Sequence, residues 1–202
     1  MLQAVFFDFD GVLTTDKYGS VSVAKFLSER TDIPYDRCRA AYGKFNAAML
    51  RGEATEREIW PALCAGLGID PQPYLLDEAS RVTPMDPEML GLVRALRPRL
   101  RTGMITDNPA GRVHAALAHF GLRELFDVVV ISGEVGSRKD QPMIFQRALD
   151  ALGLPAEACA FIDNTASNLI VPAQLGMKTI FFDDEARDMT KLRAQLESID
   201  RL

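Results

Sequence analysis

The chain is 202 residues long, 48% hydrophobic and 25% charged, with a net charge of −5. That length suits one domain carrying an insertion, or two small ones, and the composition is that of an ordinary globular protein. The acidic balance removes any general electrostatic attraction for nucleic acid or an anionic membrane surface, so an anionic ligand has to be held by local donors. Cys38, Cys64 and Cys159 are scattered without metal-ligand spacing and read as idle, buried thiols of a reducing compartment. No window approaches about 18 consecutive apolar residues, and the first apolar stretch runs into acidic residues instead of a cleavage site. A cytoplasmic protein without membrane spans is expected.

The first predicted strand, residues 4–7, runs into Asp8-Phe9-Asp10-Gly11-Val12. On a strand, the period of two puts Asp8 and Asp10 on one side and Phe9 on the other. Two like charges at the exit of a buried strand repel and lose hydration, so they call for a cation or a shared proton. A solvated acidic turn explains the same residues, and this segment alone does not decide.

Residues 16–84 have no strand pattern and instead show helical spacing at 21–29, 36–50, 55–67 and 73–81. Thr55 and Glu58 form a capping-box signature, and Pro61 is expected to kink that helix or delay its start. Phe45, Met49, Trp60 and Leu63 are expected to form this block's own core. Lys17, Lys25, Lys44 and Arg51 read as solvated, with one or two of them able to face a substrate.

From residue 85 onward, strands at 101–105, 127–131, 159–162 and 179–182 alternate with helices at 87–96, 110–120, 142–152 and 168–175. Asp86-Pro87 is a helix start, and Gly121, Gly153 and Gly176 are helix stops. Such alternation predicts an α/β fold with a parallel sheet covered on both faces, whose ligands bind beyond the carboxyl ends of the strands. The expected division is a core of residues 1–15 and 85–202 with a helical cap at 16–84, set over the carboxylates as a lid.

Three more signals follow predicted strands. Thr106-Asp107-Asn108 places a hydroxyl and backbone amides at a helix start, where anions bind. Ser137-Arg138-Lys139 places a lysine before the helix at Pro142, and Asp163-Asn164 adds an acid after the fourth strand. Taken singly, each is also a turn residue, a solvated lysine or an N-cap. Together they bring acids, a hydroxyl and a cation to one sheet edge, which suits phosphoryl transfer. Oxygen-only ligands point to Mg²⁺ over zinc. His114 and His119, five residues apart on one helix, do not lie side by side and read as surface or packing residues.

These four motifs, in this order, resemble the haloacid dehalogenase-like hydrolase superfamily. Arg51 through Thr55 with Trp60, and Asn168 through Gly176, are similar to its branch of sugar-phosphate phosphatases and epoxide hydrolase amino-terminal phosphatase domains. The resemblance implies a Rossmann-like core with an inserted cap. It implies Asp8 as nucleophile, forming an aspartyl-phosphate, and Asp10 as acid and then base, with its main-chain carbonyl on Mg²⁺. Thr106 and Lys139 bind the transferring phosphoryl group, with Asp107 close by, and Asp163 holds the metal. Two departures stand out: Asp140-Gln141 separates Lys139 from Pro142, and Asn164 replaces a second aspartate, bringing an amide for a metal-bound water but no charge. The expected activity is a Mg²⁺-dependent phosphatase of a small phosphorylated metabolite, with a sugar phosphate among the candidates, acting as a monomer or homodimer. A phosphomutase and a weakly active or non-catalytic phosphate-binding module remain open. A dehalogenase has no use for the acid at Asp10.

Overall fold

Val5 and Phe7 point to one face of the sheet and Ala4 and Phe6 to the other, and all four are fully buried because β1 (Ala4–Phe7) is the central strand. The computed structural model describes residues 1–200, with Ser80 and Asp200 in backbone only. Five parallel strands run in the order β3-β2-β1-β4-β5, with β2 at Arg101–Thr106, β3 at Val128–Ile131, β4 at Cys159–Asp163 and β5 at Lys178–Phe181. This is a Rossmann-like α/β sheet.

Alternation along the strands feeds two apolar clusters. Val5, Phe7, Met104, Ala160 and Ile162 pack with the helices α5 (Pro87–Leu96), α6 (Ala110–His119) and α10 (Met189–Asp200). On the other face, Phe6, Ile105 and Phe161 pack with α8 (Pro142–Leu152). Neither α10 nor the short α7 (Ser132–Val135) was among the expected elements.

The inserted block folds as α1 (Gly19–Thr31), α2 (Tyr35–Leu50), α3 (Glu56–Leu67) and α4 (Pro73–Arg81). Its apolar cluster is separate from the other two and includes Met49, Trp60 and Leu63, with Phe45 half-buried against it. The Thr55–Glu58 capping box is complete in both directions. Pro61 lies inside α3 without delaying its start. The carbonyl it leaves without an N–H partner belongs to Arg57, an exposed residue. Both connections to the core run together: Thr14 bridges Met85, Thr15 N–H donates to Pro84 O at 2.8 Å, and Asp86 N–H to Leu13 O at 2.9 Å.

Two segments depart from expectation. The strand ends at Phe7, and residues 9–13 form one wide helical turn capped by Asp8, with Gly11 in the left-handed region at φ 77°. Asp8 and Asp10 are therefore brought together by that turn, not by a strand period. The predicted helix at 168–175 is a tight turn at 166–169 followed by α9 (Ile170–Gln174), because Pro172 has no N–H to reach back to Asn168. Among the described residues no helix is long and apolar enough to cross a membrane.

Candidate active site

β1, β2 and β4 end on the same side of the sheet, and the loops that follow them carry acids. Lys139, ahead of α8, reaches in between two of these acids. Its Nζ lies 2.8 Å from Asp8 Oδ2 and 2.6 Å from Asp163 Oδ2, and the side chain is 2% exposed. Phe9 N–H donates to Asp8 Oδ1 at 2.7 Å. Thr165 N–H and Asn168 Nδ2 donate to Asp163, which is fully buried.

Asp10 turns the other way. Its Oδ1 accepts from Arg112 Nη2 at 2.8 Å, and its Oδ2 accepts from Arg112 Nη1, Asn108 Nδ2 and Gly19 N–H at 3.0, 2.9 and 3.0 Å. Asn108 Nδ2 also donates to Thr106 Oγ1 at 2.8 Å. Asp107 holds the lysine loop, accepting from Lys139 N–H at 3.0 Å and Arg138 Nε at 3.2 Å.

These groups surround a cavity of about 360 Å³. Asp8, Asp10, Asp107, Lys139 and Asn164 line it from the core, and Tyr18, Ser20, Tyr42, Asn46 and Leu50 from the helical insertion. Thr106 and Asp163, expected at the site, are fully buried behind this lining. In place of Asp163, Asn164 faces the cavity, with its Nδ2 buried and unpartnered. A Cβ on Gly11 would come within 2.2 Å of that nitrogen, so glycine is required there by space as well as by its φ. Of the four basic candidates of the insertion, Lys17 alone lines the cavity, and it pairs with Asp184. His114 pairs with Glu134 on the surface and His119 packs on Phe120.

Sequence reading missed Asn108, Arg112 and Asn168. Asn108 and Arg112 are four residues apart across the start of α6, which puts them on one side, and that spacing was the available signal. A buried arginine cannot be told from a solvated one by composition.

Charge counting exposes the demand of the site. Arg112 balances Asp10 and Arg138 balances Asp107, but Lys139 alone faces both Asp8 and Asp163. Burial pushes the Asp8 carboxyl up, to about 8; Lys139 opposes this, while Asp163 and Asp10 add to it. Burial by itself would lower Lys139, yet Asp8, Asp163 and Asp107 outweigh it and hold the ammonium above the ordinary lysine range. With Asp8 ionised one negative charge is left over; a proton on Asp8 removes it, and a cation in the cavity would take that proton's place. The groups facing that space, Asp8 and the Asn164 amide, fit a hard divalent cation such as Mg²⁺ in kind. The amide leaves them one charge short of a set with a further carboxylate.

The family model for haloacid dehalogenase-like hydrolases matches residues 2–176, and the chain belongs to that family. It is 30% identical over 210 residues to mouse acyl-CoA dehydrogenase family member 10, covering 96% of this chain and 19% of that protein. It is 33% identical over 92 residues to a glyceraldehyde 3-phosphate phosphatase of Pyrococcus furiosus, covering 45% of this chain and 38% of that enzyme. The chain thus spans well under half the length of these two relatives. In fold it is similar to a haloacid dehalogenase family enzyme of Bacteroides thetaiotaomicron, crystallised with magnesium and inorganic phosphate. The TM-score is 0.73 at 17% identity, covering 95% of this chain and 99% of that one.

Proposed function

We propose that the protein is a Mg²⁺-dependent phosphatase of a small phosphorylated metabolite, with Asp8 as the nucleophile. One observation carries this reading. Lys139 is buried between Asp8 and Asp163 in a cavity whose wall also holds the second carboxylate, Asp10. The phosphatase among the relatives and the magnesium and phosphate bound to the Bacteroides enzyme support it.

Asp8 attacks phosphorus, the bond to the ester oxygen breaks, and the departing oxygen takes a proton from Asp10. Asp10 enters this step carrying a proton on Oδ1, the oxygen reached by a single N–H donor, and recovers it from the attacking water in the next step. The phosphoryl group now sits on Asp8. Water, giving its proton to Asp10, then attacks phosphorus, the bond to Asp8 breaks, and phosphate leaves. Lys139 donates to a phosphoryl oxygen and Asp163 orients it, while Asn108, held on Thr106, keeps Asp10 in place. Asp8, the Asp10 carbonyl and Asn164 would hold Mg²⁺, which would supply positive charge to offset that of the phosphoryl group.

A panel of small phosphomonoesters, with and without Mg²⁺, tests this reading. Acid-quenched protein should carry a phosphoryl group on the peptide containing Asp8, and Asp8→Asn should abolish turnover. Wild-type turnover by Asp8→Asn would overturn the assignment. A second reading, a phosphate-binding module of low activity, draws on the amide at Asn164. It predicts that phosphate binds while every ester in the panel stays intact.

A further inference from the structure

Arg112 is the largest fully buried side chain of the molecule, and none of the motif residues explains it. It is 1% exposed, meets Asp10 with two N–H groups, donates to Asn108 Oδ1 at 2.7 Å and lies over the Phe9 ring at 5.3 Å. A buried ion pair is a poor means of gaining stability compared with apolar packing. What a bidentate guanidinium does supply is a fixed orientation of the carboxylate plane.

The same residue also receives contacts from the helical insertion. Gly19, the first residue of α1, donates its N–H to the Asp10 oxygen that Arg112 Nη1 also reaches. A Cβ on Gly19 would stand 2.4 Å from the guanidinium carbon, so α1 docks on Arg112 only as glycine. From α3, Glu56 Oε1 accepts the Arg112 backbone N–H at 2.7 Å, and the Glu56 side chain is buried. Thus two residues of the insertion and two of the core converge on one arginine–carboxylate pair. Arg112 Nε is buried without a hydrogen-bond partner.

We propose that Arg112 is a positioning residue that couples the orientation of Asp10 to the docking of the helical insertion. With the insertion docked, Gly19 and Glu56 complete the shell that aims Asp10 at the leaving group. With it lifted, both contacts are broken and Asp10 is held by Arg112 and Asn108 alone. The proposal rests on the phosphatase reading for its kinetic consequence but not for its structural one.

Two measurements on Arg112→Lys, which keeps the charge and loses the two-pronged contact, test it. Amide hydrogen exchange in residues 17–24 and 54–60 should accelerate several-fold while β1, β4 and α8 stay at wild-type rates. Turnover of glycerol 2-phosphate should fall in kcat by about 10- to 100-fold with KM within about twofold, the scale of a misplaced acid. The loss in kcat/KM, which reports phosphoryl transfer to Asp8 and not the later water step common to both esters, should be several-fold smaller on p-nitrophenyl phosphate, because nitrophenolate leaves without a proton. Unchanged exchange in those two segments, or equal losses in kcat/KM on both esters, would overturn the coupling. If Arg112→Lys does not fold, Gly19→Ala reads the same contact, since its methyl group displaces the guanidinium, and it carries the same expectations. If the wild-type protein cleaves neither ester, the phosphatase reading fails, and the exchange measurement still decides whether Arg112 couples the insertion to Asp10.

Discussion

Asn164 shows how one atom type changes a site. Its side chain lines the same cavity as Asp8, and of its two amide atoms only Oδ1 can meet a cation, the unpartnered Nδ2 being a donor. Asn164→Asp adds a charge that the protein alone does not balance, because Lys139 already faces two carboxylates. In metal-free buffer the variant should therefore melt below the wild type. With Mg²⁺ the sign reverses: after desolvation, one more charge against a divalent ion is worth about 1–2 kcal/mol, or roughly tenfold in affinity. Mg²⁺ titrations followed by melting temperature and by calorimetry check both halves. A half-saturation concentration equal to or above that of the wild type would show that Asn164 does not face the metal.

The start of α5 links two distant parts of the chain. Asp86 caps the helix, accepting from Glu88 and Met89 N–H at 2.8 and 3.1 Å, and its other oxygen meets Arg187 Nε at 2.9 Å. Arg187, itself in the left-handed region at φ 45°, also donates to the Gly11 and Val12 carbonyls in the turn after Asp8. Burial pushes the Asp86 carboxyl up, but Arg187 and the two backbone donors outweigh it and hold it below the ordinary aspartate range. A carboxyl depressed in the folded state contributes its full stability above its unfolded value of about 4, and loses it as pH falls through the folded value. Asp86→Ala should cost about 1–2 kcal/mol near pH 7, the usual range for a lost N-cap. Urea denaturation at about pH 7 and about pH 3 should find that difference shrinking at the acid end. A penalty that is the same at both would mean the ionised carboxylate is not what stabilises this helix start.

Three apolar clusters, two flanking the sheet and one inside the insertion, are joined by the paired connections at Thr14–Met85, by the packing of α4 on α6 and α2 on α7, and by the contacts around Arg112 and the cavity. A ligand that touches Asp8, Lys139 and the residues of α2 at once binds the docked form and not the unfolded chain. Inorganic phosphate with Mg²⁺ should therefore raise the melting temperature, by about 2.7 kcal/mol at a hundredfold excess over Kd, or roughly 5–10 °C for a chain of this size. Differential scanning fluorimetry with phosphate, with Mg²⁺ and with both separates the contributions. No shift with both present would remove the anion site from this cavity.

Much of this protein was legible in its sequence because the signals were local. Val5-Phe6-Phe7 reads as a buried strand since a central parallel strand is apolar on both faces. Asp8, Asp10, Lys139 and Asp163 each follow a strand at the same sheet edge, so topology alone gathers them. The capping box at Thr55 and the N-cap at Asp86 are contacts between near neighbours, decided before any tertiary packing. What the sequence left open depended on partners far along the chain. Asp163 and Asn164 are adjacent, and only the paths of Lys139 and Asn168 put the acid behind the wall and the amide at the cavity. Arg112 and Asp10 are 102 positions apart, and their pairing follows from how β1 and α6 lie in space. Local pattern determined the elements and the class of chemistry, because backbone geometry and desolvation act over a few residues. Which carboxylate is balanced, by which cation, was decided by tertiary structure, because charge pairing depends on distance in space and not along the chain.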